Sequence, residues 1–290
     1  MKIKSLRMLK KNKIKEKILK IKDWRNPFTI DGKKLKLNDK FNRNWLHDWQ
    51  VYKSYNLNKI IKLSVKLNST KIINKMSLLE VGCNEGYLSI NHLKMGLKSI
   101  LGIDLKQEAV NRANLIKKYY NLKNIKFLKK NIETLNSKKK YEIVTANGLL
   151  YHLSDIIGTI EKISNLTKDI LIISTFKHTD INLSRIGLPN FSFTRSSTLR
   201  LKVENINLPG NGYKPLVMVP SEKSIVKLIK NNGFKTLIRF YPYPRLKNAP
   251  IHDSNFGFYI AFKKKITLKN NFKVQKKFNF FKFEDQLVQL

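Results

Sequence analysis

From Leu78 onward, short apolar runs alternate with segments whose apolar residues recur at helical spacing. Leu78–Val81, Ser99–Ile103, Ile125–Leu128, Glu142–Ala146 and Ile170–Ser174 are the short runs, each of strand length and bounded by turn residues. A glycine turn after the first run leads into a helix through Leu93. Between the second and third runs, Ala109, Ala113, Ile116 and Tyr120 share one helical face. Between the fourth and fifth, Ile156, Ile160 and Ile163 do the same, with Ser154 placed to cap that helix. The fifth run is continuously apolar, as a strand covered on both faces requires. A further helix is expected from Ser221, with Ile225, Leu228 and Ile229 inward and Gly233 as its terminator. Strands over about 234–240 and 256–262 complete the set. The pattern predicts an α/β fold with a mostly parallel seven-stranded sheet and helices on both faces.

Other parts of the chain do not keep this rhythm. The first 22 residues hold ten Lys or Arg and one acidic residue, with Ile14, Ile18 and Ile21 at i, i+4 and i+7, which predicts a basic, weakly amphipathic helix. Residues 23–58 read as aromatic and irregular, with Trp24, Trp45, Trp49, Tyr52 and Tyr55, and a helix is expected over about 58–68. Residues 177–220 carry Pro189, Pro209, Pro215 and Pro220 among Arg and Phe, and such a long interruption reads as a lid or substrate-binding insertion. The expected division is a basic N-terminal extension at 1–75, a catalytic domain at 76–262 and a basic, Phe-rich tail at 263–290.

Composition narrows the class. A hydrophobic content of 42% supports a proper core, and the single cysteine, Cys83, excludes a disulfide framework or a cysteine-based metal cluster. The five His and scattered acids have no metal-ligand spacing, so no metal is expected. There is no apolar run of transmembrane length and no secretory h-region, which makes a cytoplasmic protein the expectation. Of the net charge of +38, residues 76–175 contribute +6 and the remaining 190 positions +32. Excess positive charge outside the core suits a polyanion such as RNA or an anionic membrane surface, although an A/T-rich codon bias would also raise Lys.

Chemistry concentrates at Glu80-Val81-Gly82-Cys83-Asn84-Glu85-Gly86-Tyr87. A glycine turn after a strand lets backbone approach a ligand closely. The spacing is Gly82-x-x-x-Gly86, with an acid two positions before the first glycine. This departs from the G-x-G-x-x-G that seats a pyrophosphate and favours a ligand with a cationic amino group. Gly102-Ile103-Asp104 closes the second run, where an acidic side chain can accept both hydroxyls of a ribose. Asn131-Ile132 follows the third run and Asn147-Gly148-Leu149-Leu150-Tyr151-His152-Leu153 the fourth, at the carboxyl edge where open α/β sheets bind ligands.

The stretch LLEVGCNEGYLSI…GIDLKQEAVNRA…NIKFLKKNIETL…YEIVTANGLLYHLSD resembles the core of class I S-adenosylmethionine-dependent methyltransferases, which have a Rossmann-like fold. Within them it is most similar to the group containing bacterial tRNA wobble-uridine carboxymethyltransferases. The resemblance spans roughly 76–175 and, more loosely, 218–262. It implies S-adenosylmethionine as cofactor, with Glu80, Gly82, Cys83, Asn84, Gly86 and Tyr87 around the methionine part and Asp104 and Leu105 at the ribose. Asn131 and Ile132 would flank the adenine, and Asn147 and Gly148 would lie near the sulfonium. Asn131 stands where an Asp is common, and its amide can still pair with the adenine edge.

Methyl transfer needs the acceptor aligned and, for a hydroxyl or ring nitrogen, deprotonated. His152 is the candidate base and Tyr151 a candidate substrate contact; each is equally open to a supporting role in its loop. Three functions follow: an RNA methyltransferase whose Trp24, Trp45, Trp49 or lid aromatics stack a base, a small-molecule or sugar O-methyltransferase closed by the lid, and a non-catalytic RNA- or membrane-binding protein on a degenerate core.

Overall fold

The computed structural model describes residues 2–36, 44–68, 72–178, 199–204, 215–241, 256–266, 274–275 and 286–289 of the 290-residue chain. These form two compact units, residues 1–62 with 72–131, and residues 63–71 with 132–290.

The first unit opens with helix α1 (Lys2–Lys20), whose Ile18 is buried as its spacing predicted and whose neighbour in the unit is the later helix over 107–119. A two-residue-strand hairpin follows, β1 (Thr29–Ile30) and β2 (Lys33–Lys34), turning at Asp31 (φ 47°) and Gly32 (φ 79°). An Asp-Gly pair suits the two left-handed positions of such a turn. Helix α2 spans Asn44–Leu67, with Leu57, Ile60 and Ile61 fully buried. It starts well before the expected position near residue 58, because Trp49, Gln50 and Lys53 extend the buried face through a stretch that reads as aromatic and irregular. Then come β3 (Ser77–Val81), α3 (Tyr87–Leu93), β4 (Ser99–Asp104), α4 (Gln107–Tyr119) and β5 (Ile125–Lys129). Strand β4 pairs in parallel with both β3 and β5.

The second unit contains β6 (Tyr141–Asn147), α5 (Ile156–Leu166), β7 (Thr167–Phe176), β8 (Leu199–Val203), β9 (Leu216–Pro220), α6 (Glu222–Asn231), β10 (Thr236–Tyr241) and β11 (Phe256–Phe262). Strand β6 is parallel to β7, β11 is antiparallel to β7, and β10 is antiparallel to β11. Two more short strands, β12 (Val274–Gln275) and β13 (Gln286–Gln289), extend this side in the nominal tail, β13 pairing antiparallel with β10. Ile170 to Ile173 are fully buried on both faces, as expected of a covered strand. Helix α5 is capped by Asp155, whose side chain accepts from Gly158 N, whereas the expected cap, Ser154, donates to Glu133 instead. Ser221 caps α6 by accepting from Ser224 N, and Gly233 (φ 80°) ends it, both as the sequence indicates.

All seven expected strands are present, three in the first unit and four in the second. Residues 199–204 and 215–220, within the expected lid, form the antiparallel pair β8–β9. Residues 179–198 and 205–214 of that segment and the tail phenylalanines lie outside the described residues.

Candidate active site

The glycine loop is fixed by its own unit. The main-chain N–H groups of Gly82 and Cys83 both donate to Ile103 O, at 2.9 and 3.0 Å, so the end of β3 is folded onto the end of β4. Gly82 (φ 72°), Asn84 (φ 51°) and Gly86 (φ 77°) take left-handed conformations that turn the chain back into α3. Gly86 also has a packing reason: a Cβ there would lie 2.5 Å from Phe127 Cζ, and one at Gly102 would lie 2.7 Å from Phe127 Cδ1 and 2.9 Å from Cys83 Sγ. Cys83 is buried within this packing, with its thiol pushed well up by burial, which suits a small core residue and not a nucleophile.

Asp104 stands where β4 ends. Its Oδ2 accepts Asn84 N at 2.7 Å and its Oδ1 accepts Lys106 N at 2.9 Å. Burial raises its carboxyl, and these two amide bonds oppose that shift. Each oxygen keeps a second lone pair, so two neighbouring hydroxyls, such as those of a ribose, can still be accepted. Leu105 and Tyr87 are half-buried beside the loop, Tyr87 edge-on to Phe28 at 5.3 Å.

Glu80 is buried under the loop, bonded by Ser89 Oγ, and burial pushes its carboxyl up to about 7. Lys53 of α2 is also buried; desolvation and the nearby Arg25 lower it to about 8, while Glu80 opposes the shift. Glu85 lies inside the glycine loop and was not singled out by sequence. It is 2% exposed and accepts Arg25 N, Asn26 N, Asn26 Nδ2 and Arg112 Nη1, all at 3.0 Å in their nearest contacts. Arg112 in turn bonds the main-chain and side-chain oxygens of Asp23. The segment 23–26, assigned by sequence to an extension, is therefore part of the loop's scaffold. Trp24 is fully buried, its indole N–H donating to Ile18 O at 3.3 Å, and Trp49 is buried as well. Neither is placed to stack a base; the expectation fails because both complete the core. Trp45 lies outside the described side chains. Asn131 follows β5 and is half-buried.

The second unit holds the remaining candidates. Ile132 is buried at the start of a short 3₁₀ turn. Asn147 ends β6; its Oδ1 accepts Ser174 Oγ at 3.2 Å, while its buried Nδ2 has no hydrogen-bond partner. A buried amide N–H of this kind fits a ligand acceptor. Gly148 (φ 69°) then turns the chain, with its N–H on Ser174 O, into the 3₁₀ turn Leu150–His152.

His152 Nδ1 lies 2.8 Å from Glu204 Oε2, whose side chain is wholly buried, and Lys202 Nζ is 3.0 Å from Oε1 of the same carboxylate. Burial alone would raise the Glu204 carboxyl, but the bonds and charges of His152 and Lys202 outweigh it and hold it below the usual range. The ladder explains the placement. Glu204 N donates to Pro215 O at the end of β8–β9, and Met218 N of β9 donates to Leu153 O, tying that ribbon to the His152 turn. One sequence signal pointed here: Glu204 is one of only two acids, with Asp180, between residues 177 and 220. The Tyr151 ring lies 4.2 Å from His152 and edge-on to Phe176 at 4.8 Å, and Phe176 meets Phe256 at 5.0 Å. No group of three or more metal-ligating side chains occurs among the described residues, and no described helix is long and apolar enough to cross a membrane.

Parallel strands, a glycine loop and an acid closing the second strand together make a Rossmann-like α/β fold. Residues 72–199 match the family model of a methyltransferase domain. In structure the chain is similar to the N-terminal domain of EvdMO1 solved with SAH bound, with a TM-score of 0.61 at 16% identity over 88% of this chain and 95% of that one. It is also similar to magnesium protoporphyrin IX methyltransferase (ChlM) from Synechocystis PCC 6803, with a TM-score of 0.51 at 17% identity over 77% and 88% of the two chains. In sequence it is 28% identical over 162 residues to a ubiquinone biosynthesis O-methyltransferase of Rickettsia akari (strain Hartford), covering 52% of this chain and 62% of that protein. It is 30% identical over 124 residues to a tRNA U34 carboxymethyltransferase of Campylobacter fetus subsp. fetus (strain 82-40), covering 42% and 40%. The chain thus spans about half the length of the curated relatives it matches.

Proposed function

We propose that the chain is an S-adenosylmethionine-dependent O-methyltransferase acting on a hydroxyl of a small, flat acceptor. The observation that carries the reading is the bond between His152 Nδ1 and the buried Glu204 carboxylate. A carboxylate at Nδ1 keeps that nitrogen protonated, so Nε2 of the neutral ring bears the lone pair. As the acceptor oxygen's new bond to the methyl carbon replaces that carbon's bond to sulfur, the acceptor's proton would pass to Nε2, and Glu204 would stabilise the resulting imidazolium. Tyr151 and Phe176 supply aromatic surface next to that base, which suits stacking of a planar acceptor. When bound, S-adenosylmethionine supplies a methyl group already activated on a sulfonium. The chain's own work is then to hold the nucleoside, place the acceptor and receive one proton. Within the first unit, Asp104 would take the ribose hydroxyls, the loop from Gly82 to Tyr87 the methionine part and Asn131 the adenine. Support comes from the Asp104 lone pairs and from the methyltransferase relatives, two of which are O-methyltransferases. The test is methyl transfer from labelled S-adenosylmethionine by the full chain to a panel of catechols, phenols and other planar hydroxyl compounds. Transfer to a hydroxyl supports the reading; tight S-adenosylhomocysteine binding with no transfer to any member overturns it.

A second reading, methyl transfer to RNA, is favoured by the +38 net charge and by the tRNA-modifying relatives. It requires RNA binding that weakens steeply with salt, since phosphate contacts release counterions. Binding no tighter than that of a charge-matched unrelated protein removes this reading.

A further inference from the structure

We propose that Arg25 and Lys53 form the subsite for the α-carboxylate of the cofactor's methionine part, and that Glu85 is the positioning residue that sets Arg25 there. This rests on the S-adenosylmethionine reading but is independent of the acceptor.

The geometry starts from Glu85. Its carboxylate accepts the main-chain N–H groups of both Arg25 and Asn26 as well as Asn26 Nδ2, and it is neutralised by Arg112 at 3.0 Å. Residues 25 and 26 are thereby held against the loop between Gly82 and Gly86 by main-chain bonds that no change of the Arg25 side chain disturbs. The guanidinium emerging from this fixed backbone has a buried Nη1 with no hydrogen-bond partner. Buried N–H groups without acceptors are rare, and a charged one is best explained by a ligand acceptor.

A second cation stands with it. Lys53 is 8% exposed on α2 and is acted on by the like charge of Arg25 and the opposite charge of Glu80. The charge of Arg25 also reaches Asp104. Glu85 is committed to Arg112 and three amides and Asp104 to Asn84 N and Lys106 N, whereas Ser89 Oγ engages only Oε2 of Glu80. Two cations that repel one another while Glu80 lies close match an amino-acid zwitterion: a carboxylate satisfies the cations through charge-assisted bonds, and an ammonium satisfies Glu80. A phosphate is a poor fit, since three carboxylates crowd the same loop.

The experiment is calorimetry of the full chain with two ligands, S-adenosylhomocysteine and 5′-methylthioadenosine, which keeps the nucleoside and sulfur but lacks the amino-acid end. Arg25→Gln and Lys53→Met are expected each to weaken S-adenosylhomocysteine by roughly 10- to 100-fold while methylthioadenosine stays within about 2-fold. Glu85→Gln should show the same ligand dependence at smaller size, and Arg25→Lys should recover part of the loss. Unchanged S-adenosylhomocysteine affinity in Arg25→Gln, or equal loss of both ligands, overturns the subsite. Failure of the unaltered protein to bind either ligand overturns the cofactor reading itself, and the subsite with it.

Discussion

Glu85 accepts both the main-chain and the side-chain amide of Asn26, 59 residues upstream, each at 3.0 Å. A buried carboxylate at the centre of the glycine loop is thus satisfied by a segment that precedes the methyltransferase match altogether. Glu85→Ala would leave three amide donors and one face of Arg112 without their acceptor, while Asp23 and Glu108 keep part of the Arg112 charge paired. The expected loss is about 2–4 kcal/mol of stability, read from urea unfolding. A loss within about 0.5 kcal/mol would show that the clamp contributes little.

Asp104→Ala removes the acceptor for Asn84 N and Lys106 N and the proposed ribose contact together. S-adenosylhomocysteine affinity should fall by roughly 100-fold or more, with methylthioadenosine falling in parallel because both carry the ribose. Calorimetry showing unchanged affinity would refute the ribose placement.

Gly102→Ala puts a methyl group 2.7 Å from the Phe127 ring and 2.9 Å from Cys83 Sγ. The crowding should cost about 1–3 kcal/mol in denaturant unfolding, and Phe127→Leu in the same chain should recover part of it. Similar losses with and without the Phe127 change would mean that the ring is not what glycine accommodates.

Glu204→Gln keeps the shape of the side chain but removes the charge at His152 Nδ1. The nitrogen-15 shifts of the neutral His152 ring should report the Nδ1–H tautomer in the unaltered protein and a mixture, or the other tautomer, in the variant. For any hydroxyl acceptor found, the transfer rate should drop by roughly 10²- to 10⁴-fold with little change in cofactor affinity. An equal tautomer population in the two proteins would remove Glu204 as the orienting group.

Burial raises the Glu80 carboxyl to about 7 against an ordinary 4.5, with Lys53 and Ser89 opposing the shift and Asp104 adding to it. Between those values the folded state binds more protons than the unfolded one, so stability falls as pH rises from about 4.5 to 7. Relative to Glu80→Gln, the unaltered protein without ligand should lose up to roughly 3 kcal/mol across that window. Parallel stability–pH curves for the two proteins would contradict this.

What could be read from the sequence was whatever is local. The seven strands, the glycine turns and the caps at Ser221 and Gly233 follow from periodicity and from residue-specific backbone preference, both of which act over a few positions. The placement of Asp104 beside the loop was also accessible, since strand, turn and strand lie 20 residues apart. Glu204 and Glu85 were not, because each gains its role from a partner 52 or 59 residues away. The part of α2 before residue 58 was not legible because Lys53, Ser54 and Asn56 are buried there, against the pattern that marks a core face. Trp24 looked available to a ligand for the same reason: its partners Phe28 and Ile18 sit in stretches whose composition reads as surface.

The Arg112–Glu85–Asn26 arrangement also bears on where the protein can be cut. Residue 72, at which family similarity begins, is not a folding boundary: a fragment starting there would expose the glycine loop's buried acid and leave Tyr87 without its ring partner Phe28. Expression of such a fragment should give insoluble material, whereas one that retains residues 23–36 and α2 keeps the donors that close the loop.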